Sequence, residues 1–143
     1  MPVRTASAVW EGDLKSGKGT MKLATGAYNG QYSFSSRFEN GTGTNPEELI
    51  AGAHAGCFSM AFSNGLAKAG FTPKRVSTTA GVTLEKVGEG FKITTIQLTT
   101  EGDVPGIDDA KFQEIAEGAK KNCPVSQLVT GANVVLTAKL VGH

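Results

Sequence analysis

Two cysteines, 66 positions apart, are the residues of this 143-residue chain best suited to chemistry. Cys57 lies in AHAGCFSMAF, a run without a charged side chain, and Cys123 directly precedes Pro124 in CPVSQ. The thiolate is the useful nucleophile, and a free thiol with a pKa near roughly 8.5 is mostly protonated in the cytosol. Apolar surroundings raise that value further, so Cys57 is expected to be an inert core residue unless a nearby cation stabilises its anion. It is the twelfth residue of a helix beginning at Pro46, beyond the first turn in which the helix dipole acts. Cys123 sits differently. A proline at the next position marks the start of a short helix, where free backbone N–H groups favour a thiolate, although the same cysteine also reads as the end of the preceding helix.

His54, three residues before Cys57, shares its helical face, and with Cys123 the three side chains offer two thiolates and one imidazole to a metal or other ligand. No CxxC or HxE accompanies them, so a non-catalytic metal- or ligand-binding protein is the alternative reading and no metal or other cofactor is expected. A Cys–His hydrolase lacks a nameable third group to orient the imidazole. Two cysteines are too few for a disulfide scaffold, and a cytosolic disulfide is more often catalytic or redox-sensing than structural.

The elements that must position these thiols follow from periodicity. TASAVWE, KGTMKLA and YNGQYSFSSRF alternate and predict two or three strands of an antiparallel meander. NPEELIAGAHAGCFSMAFSNGLAKAG predicts a long helix, with Asn45 as N-cap, Pro46 at the first position, Glu47 and Glu48 in the first turn and Gly70 as the stop. KRVSTTAGVTLEKV and FKITTIQLTTEG flank VGEG as a hairpin, DDAKFQEIAEGAKKN is an amphipathic helix, and NVVLTAKLV is a last strand. The order gives an α+β fold in a single domain over residues 1–143, long enough to bury roughly 70% of its unfolded surface.

Gly52, Gly56 and Gly65 each cost the helix about 1 kcal/mol relative to alanine, which close approach of another backbone would offset. A chain this short can hardly cover such a helix on every side, so a homo-oligomer is expected. Residues 49–66 carry no charge, but their glycines and polar side chains, without a flanking aromatic or basic belt, favour a buried central helix over a membrane span. A net charge of +1 with no basic block gives no nucleic-acid face. The opening MPVRTASAVWEGD lacks the pattern of a signal peptide, so the cytoplasm is the default compartment.

GTNPEELIAGAHAGCFSMAF, CPVSQ and the upstream SSRFENG, in this order and spacing, closely resemble the osmotically inducible branch of the OsmC/Ohr thiol peroxidases. The resemblance extends over nearly the whole chain, from VWEGD through FTP and VPGID to the last strand. It implies antiparallel sheets packed around a long central helix in an intertwined cytoplasmic homodimer. It also implies a peroxidase of stress defence that reduces organic hydroperoxides, and hydrogen peroxide less readily or variably, with an external dithiol of the lipoyl type as reductant. By the same resemblance Cys57 is the peroxidatic thiol, Cys123 the resolving thiol, Arg37 the activating guanidinium and Glu47 the carboxylate that orients it. Phe58, Met60, Ala61 and Phe62 offer apolar surface to a hydroperoxide tail. Ten residues of straight helix put about 15 Å between the backbones of Glu47 and Cys57, beyond a glutamate's reach. Either Arg37 bridges the gap, Glu47 serves the other subunit, or the helix begins later.

Overall fold

A computed structural model of the chain describes residues 1–142. Its contacts form two compact units, Met1–Leu49 and Ile50–His143. In the first, β1 (Ala6–Glu11), β2 (Lys18–Leu23) and β3 (Asn29–Tyr32) make the expected antiparallel meander in the order β1-β2-β3. Gly19 on β2 faces Trp10 on one side and Tyr32 on the other. A Cβ there would lie 2.6 Å from both rings, so the missing side chain is what lets them meet with centroids 5.3 Å apart.

The alternation of YNGQYSFSSRF does not continue as a strand. β3 stops at Tyr32, and Phe34–Phe38 form a short helix, α1. Ser33 and Ser36 cause the switch: the Ser36 N–H donates to Ser33 Oγ at 3.1 Å and the Ser33 N–H donates to Ser36 Oγ at 2.8 Å, a reciprocal capping box. Arg37 is therefore in the last turn of a helix, not at the end of a strand.

The long helix, α2 (Pro46–Lys68), begins where the sequence places it. Asn45 caps it, its Oδ1 accepting from the Glu48 N–H at 2.8 Å. A later start is thereby removed from the options for Glu47. The same Asn45 donates through Nδ2 to the Ser36 carbonyl at 2.9 Å, and Ser36 Oγ donates to the Thr44 carbonyl at 2.7 Å. Two side chains thus tie α1 to the start of α2 and fix the spacing between Arg37 and Glu47.

In the second unit β4 (Arg75–Val87) and β5 (Gly90–Asp103) form the predicted hairpin, turning at Gly88 with φ +64°. α3 (Asp109–Asn122) is capped by Asp108, and α4 (Pro124–Leu128) starts on its proline. β6 (Asn133–Val141) lies beside β5 and runs parallel to it, so this sheet is mixed where antiparallel sheets were expected. The reason is the connection: a strand returning through two helices crosses over instead of folding back as a hairpin. The α+β class stands.

Every fourth residue of α2, Phe58, Phe62 and Leu66, is fully buried and joins Ile96, Leu98, Phe112 and Ala116 in one core. Phe62 meets Phe112 edge-on at 5.1 Å. Close packing on a helix glycine is found at Gly65, where a Cβ would lie 3.0 Å from Ile115 Cγ2. A Cβ added at Gly52 or Gly56 would meet none of the described residues of neighbouring elements within 4 Å, and Met60 on the same helix is 77% exposed. Among the described residues no helix is long and apolar enough to cross a membrane.

Candidate active site

The four candidate residues form two pairs, one in each compact unit. In the first, Arg37 donates through Nε to Glu47 Oε1 and through Nη2 to Glu47 Oε2, both at 3.0 Å. Two parallel N–H···O bonds fix the plane of a guanidinium in a way a lysine could not match. The Arg37 side chain is 35% exposed and that of Glu47 only 9%, so the carboxylate is the sheltered anchor and the guanidinium keeps an open side. Arg37 Cζ also stands 5.3 Å from the Phe38 ring centroid. Glu48, the other acid of the first turn, accepts from Thr44 Oγ1 at 2.7 Å and takes no part in the pair.

Beside Arg37 is a cavity of about 210 Å³ lined by Trp10, Leu14, Tyr32, Phe34 and Phe38. Nothing in the order of residues groups these side chains, because they lie in three separate elements and a loop. A larger depression of about 530 Å³ runs along the first sheet past Val9, Glu11, Lys18 and Gln31 and contains none of the four candidates. Phe58 and Phe62, offered from sequence as surface for an organic tail, are core residues without exposure.

In the second unit the Cys123 thiol donates to the Cys57 sulfur at 2.8 Å. Both cysteines are free; Cys123 is fully buried and Cys57 partly so. Cys123 resolves both of its sequence readings, since its N–H closes α3 on the Ala119 carbonyl and the residue is also the N-cap of α4. Burial pushes the Cys57 thiol above its ordinary range, the hydrogen bond it shares with the Cys123 thiol adds to that, and repulsion between two neighbouring thiolates contributes least. The Val125 backbone N–H, bonded to the Cys57 sulfur, works the other way. A single amide opposing burial leaves the thiol in need of a cation.

His54 is fully buried one turn before Cys57, and its Nε2 lies 2.7 Å from Ser126 Oγ. Burial pushes the imidazole below its ordinary value, so the ring is neutral at neutral pH. The described residues contain no group of three or more His, Cys, Asp or Glu arranged to hold a metal. Ser126 was hidden from the sequence reading: its partner is 72 residues away, and a serine in CPVSQ carries no signal of its own.

A profile of the OsmC-like protein family matches residues 39–139, a span that takes in Glu47 and both cysteines and stops two residues short of Arg37. The chain is 54% identical to the peroxiredoxin OsmC of Escherichia coli K12 over 127 residues, covering 88% of this chain and 89% of that protein. It is 35% identical over 101 residues to an organic hydroperoxide resistance protein of Xanthomonas axonopodis pv. citri, covering 70% and 68%. The crystal structure of an organic hydroperoxide resistance protein OsmC from Legionella pneumophila superposes with a TM-score of 0.77 over 97% of this chain and 99% of the other, at 23% identity, which shows the shared fold.

Proposed function

This chain belongs to the OsmC-like protein family, and on that premise we propose that it is a cytoplasmic thiol peroxidase that reduces organic hydroperoxides by a two-cysteine cycle. The observation that carries the proposal is the 2.8 Å contact between Cys57 and Cys123 across 66 residues of sequence. Two reduced thiols this close need almost no rearrangement to become a disulfide. A metal- or ligand-binding reading is not favoured, since the similar proteins are a peroxiredoxin and an organic hydroperoxide resistance protein.

In the first step the Cys57 thiolate attacks one oxygen of the hydroperoxide. The O–O bond breaks, the alkoxide takes a proton and leaves as the alcohol, and Cys57 becomes a sulfenic acid. Arg37, held flat by Glu47, supplies the positive charge that favours the thiolate and that meets the charge developing on the departing oxygen. Its open side and the adjoining aromatic cavity give a polar head and an apolar tail separate places to bind. Cys123 then displaces hydroxide from the Cys57 sulfur, which leaves as water, and an external dithiol of the lipoyl kind returns the disulfide to two thiols.

The protein acts as a homodimer in this reading. Support comes from the uncovered Gly52 and Gly56 and from the exposed Met60 of α2, a face that a second chain can cover. The purified protein is expected to consume tert-butyl hydroperoxide over many turnovers with dihydrolipoamide as the only reductant. Consumption limited to about one equivalent per chain with every dithiol tried, or none at all, would overturn the enzymatic reading.

A further inference from the structure

His54 and Ser126 repeat, one turn away, the geometry of the two cysteines. On α2, His54 precedes Cys57 by three residues; on α4 and its cap, Ser126 follows Cys123 by three. The side chains therefore meet as two rungs between the same pair of segments, Cys57 to Cys123 at 2.8 Å and His54 Nε2 to Ser126 Oγ at 2.7 Å. Either neutral tautomer of the imidazole serves, since a hydroxyl both donates and accepts.

The histidine is a costly way to fill its space. It is fully buried, and its Nδ1 has no hydrogen-bond partner among the described residues. A phenyl or aliphatic side chain would leave no such polar atom unmatched. The bond to Ser126 is what the imidazole provides in return, and it is the one side-chain hydrogen bond of α4 among the described residues, whose other ties to its surroundings include the buried Cys123, the Val125 N–H on the Cys57 sulfur and the partly buried Val125 against the core. α4 is five residues long, has no side-chain bond at its N-cap and contains no buried residue. Short segments with few buried contacts open locally at small free-energy cost.

We propose that the His54–Ser126 bond is a clasp that keeps the Cys123 turn docked on α2 after Cys57 has been oxidised, so that condensation outruns a second oxidation. The inference rests on the two-cysteine reading above. Condensation is internal: the Cys123 sulfur bonds to the Cys57 sulfur, the S–O bond breaks, and hydroxide leaves as water with the Cys123 proton. The competing event needs a second hydroperoxide, which transfers an oxygen to the sulfenate and departs as alcohol, leaving Cys57 as sulfinate. Any opening of the turn slows only the first of these. His54 and Ser126 are positioning residues, acting through Cys123.

The test uses the full chain with tert-butyl hydroperoxide and follows sulfenic acid and disulfide formation in single turnovers. The disulfide-to-sulfinate ratio is then read by intact mass as the peroxide concentration rises. In Ser126→Ala, disulfide formation is expected to slow by roughly three- to tenfold more than Cys57 oxidation does, the population change that one net hydrogen bond gives. The peroxide concentration that yields half sulfinate falls by the same factor. His54→Phe, which keeps the ring volume, reproduces the shift, and Ser126→Thr, which keeps the hydroxyl, reverses it. If the wild-type chain forms the disulfide and Ser126→Ala partitions as it does, or Ser126→Thr fails to restore the ratio, the clasp is overturned alone. If the wild-type chain forms no disulfide, the two-cysteine cycle falls and the clasp with it.

Discussion

Cys57→Ser is expected to lower hydroperoxide consumption by more than about a thousandfold, the scale on which enzymes lose rate when the nucleophile is removed. The substitution exchanges one atom on a partly buried face of α2 and leaves the fully buried neighbours Phe58 and Phe62 untouched, so the fold is expected to survive it. What is lost is the polarisable, ionisable sulfur, because a serine hydroxyl is neither deprotonated nor oxidised under these conditions. Cys123 does not substitute for it. Its sulfur has no exposure to solvent and lies 2.8 Å from the Cys57 sulfur. The measurement is peroxide loss with excess dithiol, and undiminished loss would remove Cys57 from the chemistry.

Arg37→Ala has the second largest expected effect, a fall of roughly a hundred- to a thousandfold in the rate constant for Cys57 oxidation, as for removal of one donor that meets developing negative charge. Burial and the Cys123 sulfur both hold the Cys57 thiol above its ordinary range, with the Val125 N–H as the opposing influence. On the proposed role of Arg37, losing the guanidinium is expected to make the thiolate scarcer near neutral pH. Because a raised pKa is overcome by raising the pH, the deficit of Arg37→Ala should narrow as the solution becomes more alkaline. Arg37→Lys restores the charge without the two-bond fit to Glu47 and should fall between the two. Stopped-flow oxidation with one equivalent of hydroperoxide separates this step from the later ones. Rates equal to wild type at neutral pH would return Arg37 to the class of ordinary surface charges.

Much of the frame that holds these groups is legible in the residues. Asn45, Pro46 and the paired glutamates announce the start of α2, because each satisfies or complements the free N–H groups there. Gly88 announces the hairpin turn, Asp108 the start of α3, and Pro124 the start of α4. What was not legible depends on partners distant in sequence or on weak local signals. Residues 33–38 alternate like a strand, and only the reciprocal Ser33–Ser36 bonds, a serine standing where a glutamate or glutamine usually closes the box, turn them into a helix. The parallel placement of β6 depends on a crossover whose direction no residue of the strand itself encodes.

The site divides in the same way. Cys57 and Cys123 are visible as thiols, yet from composition and spacing alone the first reads as an inert core residue. The resemblance to a family supplied the roles; the structure supplied the 2.8 Å contact and the two-bond fit of Arg37 on Glu47. His54 looked like a ligand because of its spacing to Cys57, whereas its contact is with a hydroxyl 72 residues away. Periodicity reports which face of a helix a residue occupies. It does not report what the neighbouring segment presents to that face.

The two-cysteine cycle is tested most directly by intact-protein mass spectrometry after one equivalent of an organic hydroperoxide, with peptide mapping of the product. The expected result is a monomer-mass species that has lost two hydrogens and carries a Cys57–Cys123 disulfide within one chain, while Cys123→Ser stalls with a singly oxidised Cys57. A wild-type chain that stays fully reduced, or that joins two chains through Cys57 instead, would contradict it.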